Sequence, residues 1–322
     1  MEIRTGLSYG DALLVPQRSA VDSRSDIDLT TQLTPSLTLD IPVVSAAMDT
    51  VTEAETAAAL ADLGGLGVIH RFLSIEEQAA EVQQVAEQGG PVAAAVGISE
   101  AYLDRTEAIL AAGGDAIVLD VAHGHMERAL DAVAEIRAEY DPEIIAGNVV
   151  TPEAVADLYD VGADCVKVGV GPGSHCTTRE VAGAGYPQLS AVDECADRAD
   201  ELGITIMADG GIQSSGDAAK ALMAGAPTVM MGGFFAGTDE APGRVVSRNG
   251  ERFKRSRGMA STAAGEKRDD KESEVNADEG VEALTPYKGP LTPPTEEFLA
   301  GIRSGLSYCG GHTIPEAREN AV

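Results

Sequence analysis

The sequence predicts an α/β chain folded as a (β/α)8 barrel of the TIM type. Three observations predict it: eight alternations of strand and helix, glycines at recurring helix ends, and a length that suits one such barrel with a loop insertion. The chain has 322 residues, which fits one domain over 1–322. Short apolar runs of β-type residues alternate with longer segments of helical period, as βαβ units on a parallel sheet require. In order, strands are predicted over 42–46, 66–69, 91–96, 116–121, 143–148, 165–170, 205–209 and 228–231. Ala- and Glu-rich helices follow over 53–63, 75–88, 100–111, 126–139, 152–160, 188–202, 215–224 and 293–303. Gly64-Gly65, Gly113-Gly114, Gly162-Ala163 and Gly225-Ala226 sit between a helix end and an even-numbered strand. Glycine belongs there because the residue after a helix often takes a positive φ. An open doubly wound sheet is the alternative, disfavoured because no early G-x-G-x-x-G follows a first strand.

Two stretches interrupt the pattern. Segment 171–187 is a long Gly-rich loop after strand 6. Segment 234–291 follows strand 8 and carries Arg244, Arg248, Arg252, Lys254, Arg255 and Arg257, then a polar run over 265–278. It reads as a flap insertion. Long loops in a compact domain usually serve function or are disordered. Both leave the C-terminal ends of strands, where barrel active sites lie.

Composition narrows the chemistry. Hydrophobic residues make up 44% of the chain, but aromatics only 4% and Trp is absent, so the core must be aliphatic. No apolar run is long enough to span a membrane, and Met1-Glu2-Ile3-Arg4 lacks a signal-peptide core. A cytoplasmic protein is expected. The net charge of −29 excludes a nucleic-acid surface. The acids (Glu76-Glu77, Asp269-Asp270, Glu296-Glu297) are spread out rather than clustered with His. Acidic metal sites are one reading; the other is a solvated halophilic shell whose self-repulsion salt would screen. The four cysteines, Cys165, Cys176, Cys195 and Cys309, form no C-x-x-C pair, so neither structural zinc nor a disulfide framework is indicated.

The run Gly169-Val170-Gly171-Pro172-Gly173-Ser174-His175-Cys176-Thr177-Thr178-Arg179 carries the first chemical signal. Its glycines permit close backbone approach, whose N–H groups could cradle an anion or whose carbonyls could meet a cation. A Cys in a polar loop near Arg179 is placed to act as a thiolate nucleophile. The competing reading, a small buried hydrophobe, suits Cys165 and Cys195 better. The second signal is Asp209-Gly210-Gly211 ending strand 7 and Gly232-Gly233 ending strand 8. Phosphate sites in barrels use backbone N–H groups at these loops, and Asp209 can accept from a ribose diol. Tight packing at glycines is the alternative.

Gly171-Pro172-Gly173-Ser174 with Cys176-Thr177-Thr178-Arg179, then Asp209-Gly210-Gly211, Gly258-Met259 and Pro286-Tyr287-Lys288-Gly289, resemble the IMP dehydrogenase/GMP reductase family. So do Ala46-Ala47-Met48-Asp49-Thr50-Val51 and Gly301-Ile302-Arg303-Ser304. The resemblance covers nearly the whole chain in order. The CBS pair that IMP dehydrogenases usually carry is missing, since Gln88-Gly89-Gly90-Pro91 runs straight on. The resemblance implies a Cys176 thiolate that adds to C2 of a purine nucleotide. IMP dehydrogenases then need an Arg-Tyr pair on a flap to activate water. No Tyr occurs between Tyr186 and Tyr287, and Lys267-Arg268-Asp269-Asp270 stands in that segment. GMP reductase is therefore favoured; IMP dehydrogenase and a non-catalytic purine-nucleotide sensor are the alternatives. Gly185-Tyr186-Pro187-Gln188-Leu189-Ser190-Ala191-Val192, Glu194-Cys195-Ala196-Asp197 and Arg18-Ser19 with Ser23-Arg24 also look reductase-like.

By the same resemblance Cys176, Thr178 and Glu279 are catalytic, with Thr178 and Glu279 moving the proton that helps ammonia leave. GMP would be held by Ser174, Asp209, Gly210, Gly211, Gly232, Gly233, Gly258, Met259 and Gly280. NADPH would contact Ser23, Arg24, Arg71, Asp120, Val121, Ala122 and Ser304, because Arg24 and Arg71 suit its extra phosphate. Carbonyls of Gly171, Gly173 and Cys176 resemble a potassium site, and a homotetramer is implied. Three residues depart from the pattern: His175 replaces a small apolar residue before the Cys, Ala260 a common Ser, and His123 a frequent Asn.

Overall fold

The computed structural model describes residues 4–98, 101–259 and 279–322. Eight parallel strands close into a barrel: β1 (Val43–Ser45), β2 (Leu66–Ile69), β3 (Val92–Val96), β4 (Ala116–Asp120), β5 (Glu143–Val149), β6 (Cys165–Val168), β7 (Thr205–Asp209) and β8 (Thr228–Met231). Each pairs in parallel with the next, and β8 closes on β1 through Val229 opposite Val43. The open-sheet alternative is thereby excluded. Outside lie helices α1 (Ala54–Ala61), α2 (Ile75–Ala86), α3 (Tyr102–Ala111), α4 (Glu127–Tyr140) and α5 (Pro152–Asp160). A short α6 (Thr178–Val181) sits inside the Gly-rich loop, and α7 (Gln188–Leu202) and α8 (Ser215–Met223) complete the ring. The chain runs from α2 to β3 with no intervening module. No helix among the described residues is long and apolar enough to cross a membrane.

Strand alternation sorts the core into two clusters. Along β3, Ala93 and Ala95 join the barrel interior with Val68, Val118, Ile145, Cys165, Met207 and Met230. Val92, Ala94 and Val96 face the helix layer. This is the period of two expected for a strand buried on both faces. A small antiparallel hairpin (Thr31–Gln32 with Thr38–Leu39) plugs the N-terminal end: Leu33 and Leu39 join the interior cluster, and Thr31 Oγ1 donates to the Pro227 carbonyl at 2.9 Å. Each fully buried Leu contributes about 1.5–3 kcal/mol over an exposed one. With that end filled, ligand chemistry is left to the other.

The glycines before even-numbered strands have positive φ, as predicted: Gly64, Gly113, Gly162 and Gly225 lie between 86° and 107°. The pattern is broader than the sequence suggested, since Gly89 and Gly203 lead into β3 and β7 the same way.

Three departures matter. The helix predicted over 293–303 extends as α9 (Thr292–Cys309), because Gly301 and Gly305 lie at close contacts with α8 rather than ending it: a Cβ on Gly301 would stand 2.1 Å from Ser215 Oγ. A further helix, α10 (Ile314–Asn320), follows. Within 234–291, three strands form an antiparallel sheet: β9 (Val246–Arg248), β10 (Glu251–Arg257) and β11 (Glu282–Pro286). Arg257 ties it to the barrel, its Nε 3.1 Å from both carboxylate oxygens of the buried Asp49 after β1.

Candidate active site

The loop after β6 carries Cys176 to the barrel's C-terminal mouth. Its N–H donates to the Gly173 carbonyl at 3.0 Å, turning the chain so that the half-buried thiol lies 3.2 Å from Thr178 Oγ1. Thr178 in turn donates to Glu279 Oε2 at 2.6 Å. Glu279 is brought there by backbone pairing across a sequence gap of about a hundred residues. Thr177 N–H donates to the Glu279 carbonyl at 2.9 Å and Val281 N–H to the His175 carbonyl at 3.0 Å, and Cys176 pairs with Gly280 in an antiparallel bridge. Gly258 completes this zipper by donating to Val281. Glycine is required there, because a Cβ would fall 2.5 Å from the His175 carbonyl oxygen. A hydroxyl held between a thiol and a carboxylate can pass a proton either way.

The other thiols are inert by comparison. Cys165, Cys195 and Cys309 are fully buried. Desolvation pushes Cys165 and Cys195 up to about 12 and also raises Cys309.

Beneath the cysteine, Lys167 lies buried on β6. Its Nζ is 2.7 Å from Asp120 Oδ1 on β4 and 2.7 Å from Asp209 Oδ2 on β7. It also bonds Asn148 Oδ1. Asn148 Nδ2 donates to Asp209 Oδ2 at 2.8 Å and to the Gly169 carbonyl at 2.7 Å. Burial opposes the ammonium's charge, but Asp120 and Asp209 outweigh it and raise the Lys167 pKa. Burial likewise raises Asp120, and Lys167 more than reverses that, leaving its carboxyl below the usual value. Asp209 is thus oriented through Oδ2, while Oδ1 has no partner among the described residues.

Two glycine pairs form the adjoining wall. Gly210 and Gly211 adopt φ of 86° and 77°. A Cβ on Gly210 would meet Pro172 at 3.1 Å, and one on Gly233 would meet Ser174 Oγ at 3.3 Å. The N–H groups of Gly211 and Gly233 donate to nothing among the described residues. Free N–H groups beside a hydroxyl are suited to an anion. His175 Nδ1 is 3.2 Å from Ser174 Oγ, and Nε2 is 2.8 Å from Ser256 Oγ on β10. Burial holds the imidazole below its ordinary pKa.

These groups share a cavity of about 590 Å³, within the range of small-molecule sites. It brings together Cys176, Thr178 and Glu279; Ser174, Asp209, Gly210, Gly211, Gly232, Gly233, Gly258 and Met259; and Gly171 and Gly173. Arg71, Asp120, Val121 and Ala122 line it as well. Gly280 contributes its bridge to Cys176 rather than a wall. Ser23, Arg24 and Ser304 do not line this cavity. They lie where the turn Arg24–Asp26 packs on α9, with Ser23 capping Ser25 and the Arg24 guanidinium 6.0 Å from the Tyr308 ring centre. Sequence order places them in no cavity; packing of α9 on the barrel's outer layer decides it.

Sequence reading missed Lys167 and Asn148, and it named Asp49, Arg257 and Lys288 without finding that the first two pair or that Lys288 lines the cavity. A lysine within the apolar strand Cys165–Val168 was the available signal, since such a charge persists only when paired.

The family model described as the IMP dehydrogenase/GMP reductase domain matches residues 6–322. The chain belongs to the IMP dehydrogenase/GMP reductase family. It is 37% identical to an inosine-5'-monophosphate dehydrogenase from Nitrosopumilus maritimus, covering 100% of this chain and 96% of that protein. It is 33% identical to a GMP reductase from Leishmania major, over 98% and 93% of the two. Among solved structures it is similar to a cysteine-to-alanine variant of Trypanosoma brucei GMP reductase in complex with guanosine 5'-monophosphate. The TM-score there is 0.94 at 32% identity, covering 99% of this chain and 95% of that one. Members of this family are oxidoreductases acting on purine nucleotides, with a nicotinamide dinucleotide as co-substrate.

Proposed function

We propose that the chain is a GMP reductase, converting GMP and NADPH to IMP, ammonia and NADP⁺. The contact that carries this reading is Thr178 Oγ1, set between Cys176 Sγ at 3.2 Å and Glu279 Oε2 at 2.6 Å. In the proposed reaction the Cys176 thiolate bonds to C2 of the purine. Thr178 and Glu279 then deliver the proton that lets the 2-amino group leave as ammonia. NADPH, when bound, supplies the hydride that takes the amine's place at C2. The carbon–sulfur bond then breaks, returning the thiolate and releasing IMP.

Ser174 with the N–H groups of Gly211 and Gly233 would hold the nucleotide phosphate, and Asp209 Oδ1 the ribose. For the dinucleotide, Arg71, Asp120, Val121 and Ala122 fit, because they line the same cavity as the thiol and Arg71 supplies a guanidinium that suits a phosphate. For potassium, the carbonyls of Gly171, Gly173 and Cys176 are donors of the right chemistry. The Gly173 oxygen already accepts the Cys176 N–H, so it would bind the ion through its second lone pair.

The direction of reaction is argued from the sequence: no Tyr occurs between Tyr186 and Tyr287, so a water-activating Arg-Tyr pair cannot be assembled there. Lys267-Arg268-Asp269-Asp270, Asp278 and Ala260 lie outside the described residues. A second reading, oxidation of IMP to XMP with NAD⁺, is favoured by the 37% identity to a relative of that name. A spectrophotometric assay in potassium buffer separates them. NADPH loss with GMP supports the first reading and NADH formation with IMP the second. Silence in both with tight GMP binding would indicate a nucleotide sensor.

A further inference from the structure

His175 stands in an uninterrupted line of hydrogen bonds that begins at Ser174 and ends on the accessory sheet. Ser174 Oγ is 3.2 Å from Nδ1, Nε2 is 2.8 Å from Ser256 Oγ, and Ser256 Oγ is 2.7 Å from Thr285 Oγ1. Ser256 on β10 is buried, whereas Ser174 is exposed in the cavity wall. The ring also flanks the bare backbone of Gly233: a Cβ there would lie 3.3 Å from Ser174 Oγ and 3.8 Å from His175 Cε1. Ser174, Gly233 and the imidazole edge therefore share one patch.

A neutral imidazole offers one donor and one acceptor nitrogen, and hydroxyls can serve as either. With hydroxyls on both sides, the line can run in two directions. An acceptor-only anion beside Ser174 removes the choice. Ser174 must then donate outward, so its oxygen accepts from Nδ1–H, Nε2 accepts from Ser256, and Ser256 accepts from Thr285.

We infer that His175 is a positioning residue that aims the Ser174 hydroxyl at the phosphate of a bound nucleoside monophosphate and braces it against β10 and β11. This rests on the reading that Ser174 meets that phosphate. The line contributes nothing to the base or the sugar, so its loss should be felt by the monophosphate alone.

The test is binding by titration calorimetry of GMP and of guanosine to the full chain. His175→Leu is expected to weaken GMP about tenfold and to leave guanosine unchanged. Ser256→Ala, which cuts the line behind the cavity, should weaken GMP about threefold, and His175→Gln, whose amide also donates and accepts, should recover part of the loss. In the Ser174→Ala background His175→Leu should cost nothing further. Ring ¹⁵N shifts should show the Nδ1–H tautomer selected when GMP binds. Equal weakening of GMP and guanosine, or a full tenfold loss in the Ser174→Ala background, overturns the inference. Unchanged GMP binding by both His175→Leu and Ser256→Ala, with tight wild-type binding, overturns it while leaving the proposed function standing. A folded wild type that binds neither GMP nor IMP overturns both.

Discussion

Lys167 Nζ lies 2.7 Å from Asp209 and 2.7 Å from Asp120, so one buried cation joins carboxylates from β7 and β4, two strands that are not neighbours in the barrel. The carboxylate proposed to hold the nucleotide's ribose and one proposed to meet the dinucleotide are thereby fixed to a common point. Lys167→Met would leave two carboxylates facing each other without the cation that bridges them. Removing one member of a buried ion cluster costs about 3–5 kcal/mol. Urea unfolding at pH 7 should show a loss of that size; a loss under about 1 kcal/mol would mean that solvent already screens the cluster.

The same cluster sets an acid limit. Burial raises the Asp120 pKa but Lys167 brings it below the unfolded value of 3.8. A group whose folded pKa is depressed stabilises the fold above its unfolded pKa and loses that contribution as pH falls through the folded one. The stability gap between wild type and Lys167→Met should therefore narrow on acidification. Without Lys167, burial holds Asp120 above its unfolded value, so the variant recovers stability by protonating before about pH 4, and the wild type loses its own contribution below that. Denaturant midpoints across that range would check this, and a gap that widens on acidification would contradict it.

Alkylation should single out one thiol. Cys165, Cys195 and Cys309 are fully buried with raised pKa values, whereas Cys176 opens on the cavity. Brief iodoacetamide treatment of the native chain at neutral pH, read by peptide mass spectrometry, should modify Cys176 alone. GMP should slow that modification. Equal labelling of a second cysteine would show that the barrel opens on the labelling timescale.

Thr178→Val keeps the side chain's shape and removes the hydroxyl between Cys176 and Glu279. Positioned proton transfer contributes about 10²- to 10⁴-fold to rate, so kcat should fall by that order while GMP binding stays within a few-fold. Glu279→Gln should behave alike, and the double variant should be no slower than the worse single one, because both interrupt one relay. Multiplicative losses would mean that the two residues act separately.

Much of this fold was legible in the sequence, and the reasons are local. Strands such as Val92–Val96 are apolar on both faces, so their runs stand out against Ala- and Glu-rich helices. The Gly-rich loop and both glycine pairs were readable because backbone that approaches a ligand excludes side chains. The accessory sheet was not readable: β10 reads Glu-Arg-Phe-Lys-Arg-Ser-Arg, a polar run whose pairing with β11 spans a long gap. Nor could spacing show that Asp120 and Asp209, assigned to different ligands, share Lys167. That contact exists only once the barrel closes.

Gly301→Ala tests how α9 is seated. Alanine favours a helix over glycine by about 1 kcal/mol, so propensity alone forecasts a gain. A Cβ there would sit 2.1 Å from Ser215 Oγ and 2.5 Å from its Cβ, and overpacking of this kind costs about 1–3 kcal/mol. Net destabilisation is expected in thermal melts, with partial recovery in Gly301→Ala/Ser215→Gly. A stabilised single variant would show that α9 can shift outward freely.

The acidic surface makes the last prediction. With 52 acidic against 23 basic side chains, the folded chain concentrates a charge of −29 that an expanded chain would spread out. Screening length falls from about 10 Å at 0.1 M salt to about 3 Å at 1 M, so raising salt should relieve that repulsion and lift the melting temperature. Screening is indifferent to which monovalent cation supplies it, whereas a carbonyl site at Gly171, Gly173 and Cys176 is not. Melting temperatures should thus climb alike in NaCl and KCl, while turnover at fixed ionic strength should rise only as potassium replaces sodium. If stability itself followed potassium rather than ionic strength, the ion would be bracing the Cys loop within the fold and the acidic shell would be bystander charge.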